Sequence, residues 1–321
     1  MLYLGAEDLA RAADLDLLME AIENAYALER SAQYSMPDRI HLEHQGNTLL
    51  YMPCFLNQVF GTKVLSLFPN NPRFNLPVIS GLLLLNDAKT GMPLAVMDGA
   101  AVTAYRTGAV GGVAIQYTAP NSACAVGLVG AGVQGFYQVI FANRTRKLKR
   151  VRLFDKDCEK AELLCQKLKK ELALKDIQVA DSIETLLAES KIVITATPAR
   201  EPVLPDNEVL LAGKNFVSIG SYKPEMRELP QALYSLVDQV VIDTEHGLHE
   251  SGDLITPLEK GWIRDEQIIN FSAYMAAGDL KLADEKTTLF KSVGMALFDL
   301  VAAKAIYDLA LEKNIGTMLG H

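Results

Sequence analysis

About two-fifths of the way along its 321 residues, the chain reads Val126-Gly127-Leu128-Val129-Gly130-Ala131-Gly132-Val133-Gln134. An apolar run here breaks into closely spaced glycines and is followed by helix-forming sequence, as where a strand turns into a helix. Gly130 permits a tight reversal, and Gly132 lacks the side chain that would keep backbone N–H groups away from a pyrophosphate. The segment therefore predicts a dinucleotide site at a helix N-terminus.

A second short predicted strand, at 150–155, ends in Asp155. This acid lies roughly 20 residues beyond the glycines, the distance expected for a ribose-binding carboxylate. A carboxylate there accepts hydrogen bonds from ribose hydroxyls and repels a 2′-phosphate, so NAD(H) is favoured. Arg152 and Lys156 weaken this preference, and NADP(H) stays possible. The competing interpretation is an ordinary glycine-rich turn with a surface aspartate.

Composition limits the class of protein. Half of the residues are apolar, which is enough for two packed domains. No apolar run reaches the roughly 18 residues of a membrane helix. The N-terminus also lacks a signal-peptide pattern, so we expect a cytoplasmic protein that does not enter a membrane. The net charge of −8 argues against nucleic acid as a partner.

The cysteines and histidines predict no metal site. The four cysteines have no metal-type spacing and are expected to be thiols in a reducing compartment. Two histidines occur in the run 245–250, but this run offers neither helical i, i+4 spacing nor a third ligand. We interpret it as a loop with acids at a helix start.

The first part of the chain predicts a mostly antiparallel sheet. Residues 39–118 alternate short apolar runs with turn residues, as hairpin strands do. Thr90-Gly91 and Asp98-Gly99 are predicted hairpin turns. From residue 103 to 117 the spacing of small and apolar residues is helical instead.

From residue 123 to about 272, strands alternate with helices. This pattern predicts an α/β fold with a doubly wound parallel sheet of the Rossmann type, in which ligands bind at the carboxyl ends of the strands. The predicted strands are 125–129, 151–154, 192–195, 216–219 and 237–242.

The last long apolar segment, from 288 to about 312, is predicted to be one helix that packs on the first domain. We therefore assign residues 1–118, completed by 288–321, to a discontinuous α+β domain for substrate binding. Residues 119–287 form the Rossmann domain in this interpretation.

Two segments follow predicted Rossmann strands. One contains Thr195 and Thr197, and the other contains Gly220 and Ser221. Small and hydroxyl side chains allow a nicotinamide or a ribose to lie against the backbone, so the reactive end of a cofactor is expected here. Loops with turn chemistry alone are the alternative.

Three cations of the first domain, Arg39, Lys63 and Arg106, occur in apolar or small-residue sequence. An uncompensated buried charge would be costly there, so these cations are candidates for binding a substrate anion. Arginine offers a planar fork for a carboxylate, whereas lysine offers a point charge that can also donate a proton. Each one alone could equally be a surface cation.

Several segments, taken in their order and spacing, resemble the ornithine cyclodeaminase/μ-crystallin family over nearly the whole chain. The segments are 36–39, 63–64, 87–93, 97–109, 130–134, 226–229 and 290–294. The resemblance implies a Rossmann domain that binds a nicotinamide cofactor. It also implies a homodimer formed through the antiparallel domain.

The family's functional positions match residues of this chain. The resemblance implies that Arg39, Lys63 and Arg106 bind the carboxylate of an amino or imino acid, with Lys63 as the catalytic residue near the reacting nitrogen. Val293 falls near the substrate. Besides Gly130 and Gly132, the cofactor positions are Thr107, Val133, Gln134, Asp155, Thr195, Thr197, Gly220, Ser221 and Ser292.

Two departures from the family narrow the choice of reaction. Cyclodeaminases carry an acid/base aspartate where this chain has Tyr222. A phenol with a pKa of about 10 is a poor base near neutral pH. An acid that reads the distal ammonium of ornithine aligns with Leu50, which has no charge.

These departures favour an NAD(P)H-dependent reductase of cyclic imino acids. Such an enzyme would convert 1-pyrroline-2-carboxylate to proline, or 1-piperideine-2-carboxylate to pipecolate. Ornithine cyclodeaminase and an alanine-type amino-acid dehydrogenase are the enzyme alternatives. A μ-crystallin-like binding protein that needs NAD(P)H but does not turn it over is the alternative from another class.

Overall fold

The computed structural model describes residues 1–278 and 285–320. The strands are β1 (Leu2–Leu4), β2 (Ile40–His44), β3 (Asn47–Phe55), β4 (Val59–Leu67), β5 (Ile79–Asp87), β6 (Pro93–Asp98), β7 (Ala125–Val129), β8 (Arg150–Phe154), β9 (Ile177–Val179), β10 (Ile192–Thr195), β11 (Asn215–Ser218), β12 (Val240–Ile242), β13 (Ile268–Asn270), β14 (Thr288–Lys291) and β15 (Thr317–Met318). The helices are α1 (Ala6–Ala12), α2 (Leu15–Arg30), α3 (Gly99–Thr118), α4 (Val133–Arg146), α5 (Cys158–Glu171), α6 (Ile183–Ala188), α7 (Glu208–Leu211), α8 (Gln231–Leu236), α9 (Gly247–Glu250), α10 (Gly252–Glu259), α11 (Phe271–Ala276) and α12 (Ala296–Glu312).

The chain divides into two compact units. Unit 1 comprises Met1–Arg106 and Met295–His321, and unit 2 comprises Thr107–Gly294. The sequence placed these boundaries at residues 118 and 288. The boundaries in the structure differ from these, because α3 contains the division between residues 106 and 107 and because β14 belongs to the sheet of unit 2. The predicted ranges also include 279–284 and 321, which lie outside the described residues.

Unit 1 is built on a seven-stranded sheet in the order β15-β1-β6-β5-β4-β3-β2. Only the β1–β6 pairing is parallel, which confirms the prediction of a mostly antiparallel sheet. Buried residues alternate with half-buried or exposed residues along β3 and β4, so one face of the sheet is the core face. Helix α12 packs on β4 and α2 within this unit.

One of the two predicted hairpin turns is correct. Thr90-Gly91 joins β5 to β6, and Gly91 has the positive φ of 74° that such a turn favours. The prediction at Asp98-Gly99 is wrong, because Gly99 is the first residue of α3. The Asp98 side chain accepts a hydrogen bond of 2.8 Å from the N–H of Ala101 and so acts as a helix cap.

Unit 2 contains an eight-stranded sheet in the order β13-β12-β14-β11-β10-β7-β8-β9. All of its pairings are parallel, which confirms the Rossmann-type α/β prediction. The predicted helix from 288 is wrong at its start, because 288–291 form β14 and the helix begins at Ala296. β14 lies between β11 and β12 and is buried on both faces. Such a strand has no alternating pattern to distinguish it from a buried helix.

Candidate active site

Lys63 lies on the core face of unit 1. It is in the middle of β4, and its cross-strand neighbours are Met52 on β3 and Leu83 on β5. Lys63 is only 1% exposed, although lysine is one of the residues least often buried. Met52 and Leu83 are buried as well. A charge in such apolar surroundings needs a partner of opposite sign.

That partner is Asp299, a residue of the first turn of α12. The Nζ atom of Lys63 donates to Oδ2 of Asp299 at 2.7 Å, and Nε of Arg106 donates to Oδ1 at 2.8 Å. The Asp299 side chain is 2% exposed, and that of Arg106 is 8% exposed. We call Lys63, Arg106 and Asp299 the cation cluster. It carries two positive charges and one negative charge.

Burial and charge shift the pKa values of the cation cluster. Burial lowers the pKa of Lys63 to about 8, against the opposing effect of Asp299 and with further lowering from Arg106 and Arg39. Burial alone would raise the pKa of Asp299, but Arg106 and Lys63 outweigh it and hold that pKa below its ordinary value. Asp299 is thus ionised at neutral pH, whereas Lys63 gains or loses its proton near pH 8.

Arg39, the third predicted cation, precedes β2 and is half-buried. It is near enough to act electrostatically on Lys63. Unit 1 therefore brings together the three cations singled out by the sequence. Asp299 was missed, because no spacing links it to Lys63, 236 residues away.

The core face around Lys63 is apolar. Leu50 lies on β3 two residues from Met52, and both are buried. Cys54 follows on the same face, and burial together with the charge of Asp299 raises the pKa of its thiol to about 12. Leu50 was aligned with the acid that reads the distal ammonium of ornithine in the family. It therefore presents an alkyl side chain on the sheet face that holds Lys63.

The glycine-rich turn of unit 2 joins β7 to α4. Gly130 has φ 106°, and a Cβ there would lie 2.6 Å from the carbonyl oxygen of Ala196. A Cβ at Gly132 would meet nothing within 4 Å, so the space beside this backbone is open. Gly135 packs against the Gly130 carbonyl and completes a Gly-x-Gly-x-x-Gly spacing.

Asp155 comes directly after β8 and is half-buried. Its Oδ2 atom accepts a hydrogen bond of 2.7 Å from the N–H of Ala131, and its Oδ1 atom accepts one from Asp157. Asp155 is thus tied to the glycine-rich turn. Arg152, considered above for a 2′-phosphate, is buried and ion-paired with Asp176 and Glu189. Lys156 is exposed.

Two predicted cofactor residues carry buried polar atoms that lack a hydrogen-bond partner within the described part of the chain. They are Oγ1 of Thr107 and Oε1 of Gln134. Leaving such atoms unpaired is costly, so they indicate a ligand group or water that would complete them. Val133, the first residue of α4, is exposed. Together with the open space at Gly132, these features fit a dinucleotide.

Glu228 connects the two predicted cofactor loops that follow β10 and β11. Its Oε1 accepts from the N–H and hydroxyl of Thr197, at 2.7 and 2.8 Å. Its Oε2 accepts from the Thr195 hydroxyl at 3.0 Å and from the Gly220 N–H at 2.8 Å. A Cβ at Gly220 would overlap the backbone of Thr197. The three predicted residues are therefore held by one buried acid that the sequence interpretation did not select.

Further buried acids surround Lys291 at the end of β14. Burial raises the pKa of Glu228, and Lys291 opposes that shift. The Lys291 Nζ lies 3.6 Å from Oδ2 of Asp253 and 3.2 Å from the Ser218 hydroxyl. Asp253 in turn accepts from the backbone N–H groups of Glu228 and Leu229. This polar network fixes the segment that carries Glu228.

The remaining predicted residues of unit 2 have partners in the fold. The Ser221 hydroxyl contacts Met226 and Ser251. The Ser292 hydroxyl donates to Asp243 at 2.6 Å, and the Val293 N–H donates to the same carboxylate at 3.2 Å. The role of these residues toward a ligand stays a prediction.

Tyr222 is half-buried. Burial raises the pKa of its phenol above the ordinary value, and the charge of Glu225 adds to the shift. Tyr222 is therefore protonated at neutral pH and cannot act as a base there.

Within 1–278 and 285–320, no group of three or more His, Cys, Asp and Glu side chains is arranged to hold a metal ion. None of the helices in these ranges is both long and apolar enough to cross a membrane.

Residues 2–314 match the model of the ornithine cyclodeaminase/mu-crystallin family. A Delta(1)-pyrroline-2-carboxylate reductase of Bacillus cereus is 32% identical over 283 residues, which are 86% of this chain and 86% of the relative.

Two solved structures are similar along their whole length. The first is the Thermococcus litoralis Delta(1)-pyrroline-2-carboxylate reductase in complex with NADH and L-proline, with a TM-score of 0.93, 32% identity and coverage of 99% of this chain and 100% of that one. The second is an archaeal alanine dehydrogenase dimer with bound NAD, with a TM-score of 0.91, 29% identity and coverage of 100% and 99%.

The parallel sheet, its glycine-rich turn and these similarities define an oxidoreductase of the Rossmann class. The chain belongs to the ornithine cyclodeaminase/mu-crystallin family.

Proposed function

We propose that the protein is an NAD(P)H-dependent reductase of cyclic imino acids that forms proline or pipecolate. One observation carries this proposal. The cation cluster has one positive charge in excess and lies on an apolar sheet face. A substrate with a single carboxylate and an apolar ring matches both properties. Ornithine fits less well, because its distal ammonium requires an acid and Leu50, at the aligned position, carries no charge.

Arg106 and Arg39 would bind the substrate carboxylate. Asp299 contacts Arg106 through Nε, so the terminal Nη groups of the guanidinium are those directed at the carboxylate in this proposal. A reduced nicotinamide cofactor supplies the hydride for the imine carbon. Lys63 would donate a proton to the imine nitrogen, which suits a lysine that titrates near pH 8.

The proposed cofactor site uses Gly130, Gly132, Val133 and Gln134 for the pyrophosphate end. Thr107, Thr195, Thr197, Gly220, Ser221 and Ser292 are proposed for the nicotinamide end, with Val293 near the substrate. Asp155 supports NAD(H) as the preferred cofactor, because Arg152 is engaged in ion pairs. NADP(H) would depend on the exposed Lys156.

We also propose a homodimer formed through the outer face of the unit 1 sheet. Ile40, Tyr51, Val64 and Leu82 are successive cross-strand neighbours on the face opposite Lys63. Ile40 and Leu82 are among its exposed residues. A contiguous apolar row of this kind is typical of protein interfaces.

The four free thiols support a reducing, cytoplasmic location.

The experiment that tests the function follows NADH and NADPH oxidation with 1-pyrroline-2-carboxylate and with 1-piperideine-2-carboxylate. Ornithine plus NAD, and pyruvate plus ammonia with NADH, are run in parallel. Oxidation with the cyclic imines and not with the other substrates is expected. Preferential turnover of pyruvate with ammonia would instead identify an alanine dehydrogenase. Release of ammonia from ornithine would identify a cyclodeaminase. Quenching of NADH fluorescence without turnover of any substrate would indicate a binding protein.

A further inference from the structure

We propose that Asp299 is the positioning residue of the cation cluster: it orients the Lys63 ammonium and the Arg106 guanidinium and keeps the proton on Lys63. The inference rests on the proposed function, in which Lys63 donates that proton.

The geometry gives Asp299 one oxygen for each cation. Oδ2 contacts Lys63 at 2.7 Å and Oδ1 contacts Arg106 at 2.8 Å. A carboxylate that bridges two donors in this way fixes the angle between them. The side chains have almost no exposure, so water cannot take over this role.

The position of Asp299 in the fold favours its charged form. It lies in the first turn of α12, where the helix dipole stabilises an anion. Arg106 and Lys63 act in the same direction. Asp299 can thus remain a carboxylate while Lys63 gains and loses its proton.

The charged and titratable groups around Lys63 have opposing effects. Burial lowers the pKa of Lys63, as do Arg106 on α3 and Arg39 before β2, whereas Asp299 on α12 raises it. Cys54 on β3 is a neutral thiol, since its pKa is raised to about 12. Without Asp299, Lys63 would lose its proton well below its present pKa of about 8. An opposite charge at this distance shifts a pKa by roughly 1–3 units.

The test compares wild type with Asp299→Asn, which keeps the shape of the side chain and removes its charge. The pKa of Lys63 is measured directly by NMR titration of isotope-labelled lysine side chains, with Lys63→Met identifying the signal. We expect titration at about pH 8 in the wild type. In Asp299→Asn it should occur at least about one unit lower. Asp308→Asn on the same helix, which removes an exposed partner of Lys304, should leave it unchanged.

The pH profile of kcat/KM supplies the second readout. Protonated Lys63 is the active form, so the alkaline limb should move to lower pH in Asp299→Asn by the same amount as the NMR titration. Asp299→Glu retains the charge and should keep the limb near its wild-type position while lowering kcat/KM, because the carboxylate is displaced. A lower kcat/KM with an unmoved limb and an unmoved NMR titration in Asp299→Asn would show a merely structural role and overturn the inference.

Two further comparisons keep the outcome clear. If Asp299→Asn does not fold, Arg106→Gln is compared by NMR with the double variant Arg106→Gln/Asp299→Asn. The double variant buries one uncompensated cation fewer than Asp299→Asn alone and is therefore expected to fold more readily. An equal Lys63 pKa in these two proteins would also overturn the inference. Absence of imine reduction by the wild type would refute the proposed function, whereas the NMR titration would still decide the effect of Asp299 on Lys63.

Discussion

The backbone N–H of Gly220 donates a hydrogen bond of 2.8 Å to Oε2 of Glu228, eight residues later in the chain. The other oxygen of the same carboxylate accepts the N–H of Thr197 at 2.7 Å. The loops after β10 and β11 are therefore joined through one side chain. Both of its oxygens face backbone donors that have to remain paired when buried.

Glu228→Gln should weaken this junction. The amide would place its own N–H groups against one of the two backbone donors, which costs about 1–3 kcal/mol of unfolding free energy. The affinity for NADH should fall roughly tenfold, which corresponds to about 1.4 kcal/mol. Urea unfolding and a fluorescence titration with NADH measure the two effects. Glu225→Gln, an exposed neighbour, is the control, and equal behaviour of both variants would refute the role of Glu228.

Gly132→Ala should fold normally but bind cofactor poorly. Its added Cβ would meet no protein atom within 4 Å, so thermal stability should stay within about 0.5 kcal/mol of wild type. The methyl group would instead occupy the space proposed for the pyrophosphate. Gly220→Ala is the opposite case, because its Cβ would overlap Thr197 and should lower stability by about 1–3 kcal/mol. Unchanged NADH affinity in Gly132→Ala would contradict the proposed pyrophosphate position.

Asp155→Ala should shift the cofactor preference towards NADPH. The change removes a charge that would repel a 2′-phosphate, and it leaves Lys156 exposed next to the site. We expect the ratio of kcat/KM for NADPH to that for NADH to rise by about tenfold or more. This factor corresponds to the loss of about 1.4 kcal/mol of repulsion between the Asp155 carboxylate and the 2′-phosphate. Glu159→Gln, which removes the charge of a nearby exposed acid on α5, should keep the wild-type ratio. A constant ratio in Asp155→Ala would remove the argument for NAD(H).

Lys63→Met should abolish most imine reduction. Loss of a positioned proton donor typically lowers the rate by about 100-fold to 10,000-fold. NADH affinity should remain, because Lys63 belongs to unit 1 and the proposed cofactor residues belong to unit 2. In the wild type, activity should fall as the pH rises through the Lys63 pKa of about 8, since the protonated amine is the donor. Steady-state kinetics with either imine measure both effects, and retained turnover in Lys63→Met would reject the assigned role.

Leu82→Asp should prevent the proposed dimer. The substitution places a charge at the β5 end of the apolar row on the outer face of the unit 1 sheet. The mass measured by light scattering should change from that of two chains to that of one. Leu163→Asp on α5 alters an exposed leucine of unit 2 and should not affect the assembly. A wild-type protein that is already monomeric would contradict the proposal.

The sequence predicted the features that depend on local patterns. Strands β7, β8 and β10 alternate with helices, and the glycines between β7 and α4 have a recognisable spacing. These signals lie within a few tens of residues. The short apolar runs separated by turn residues between 39 and 118 likewise indicated the antiparallel sheet.

The missed features depend on contacts between distant parts of the chain. Asp299 occurs in an apolar helical run, and its partners are 193 and 236 residues away. Glu228 lies in a segment without regular structure; 226–229 was among the segments that resemble the family, but no role was assigned to its acid. β14 was taken for helix because a strand buried on both faces has no polar side to reveal its period.

The return of α12 to unit 1 has a consequence for synthesis on the ribosome. Lys63 and Arg106 are made early, but the carboxylate that compensates both charges is made 193 residues after Arg106. Until then, burying these two cations is unfavourable, so the antiparallel sheet is expected to remain incompletely packed. By contrast, unit 2 is one continuous segment, Thr107–Gly294, whose synthesis ends before that of Asp299. The N-terminal part of unit 1, Met1–Arg106, is therefore expected to complete its folding last, after the segment that follows it in the chain.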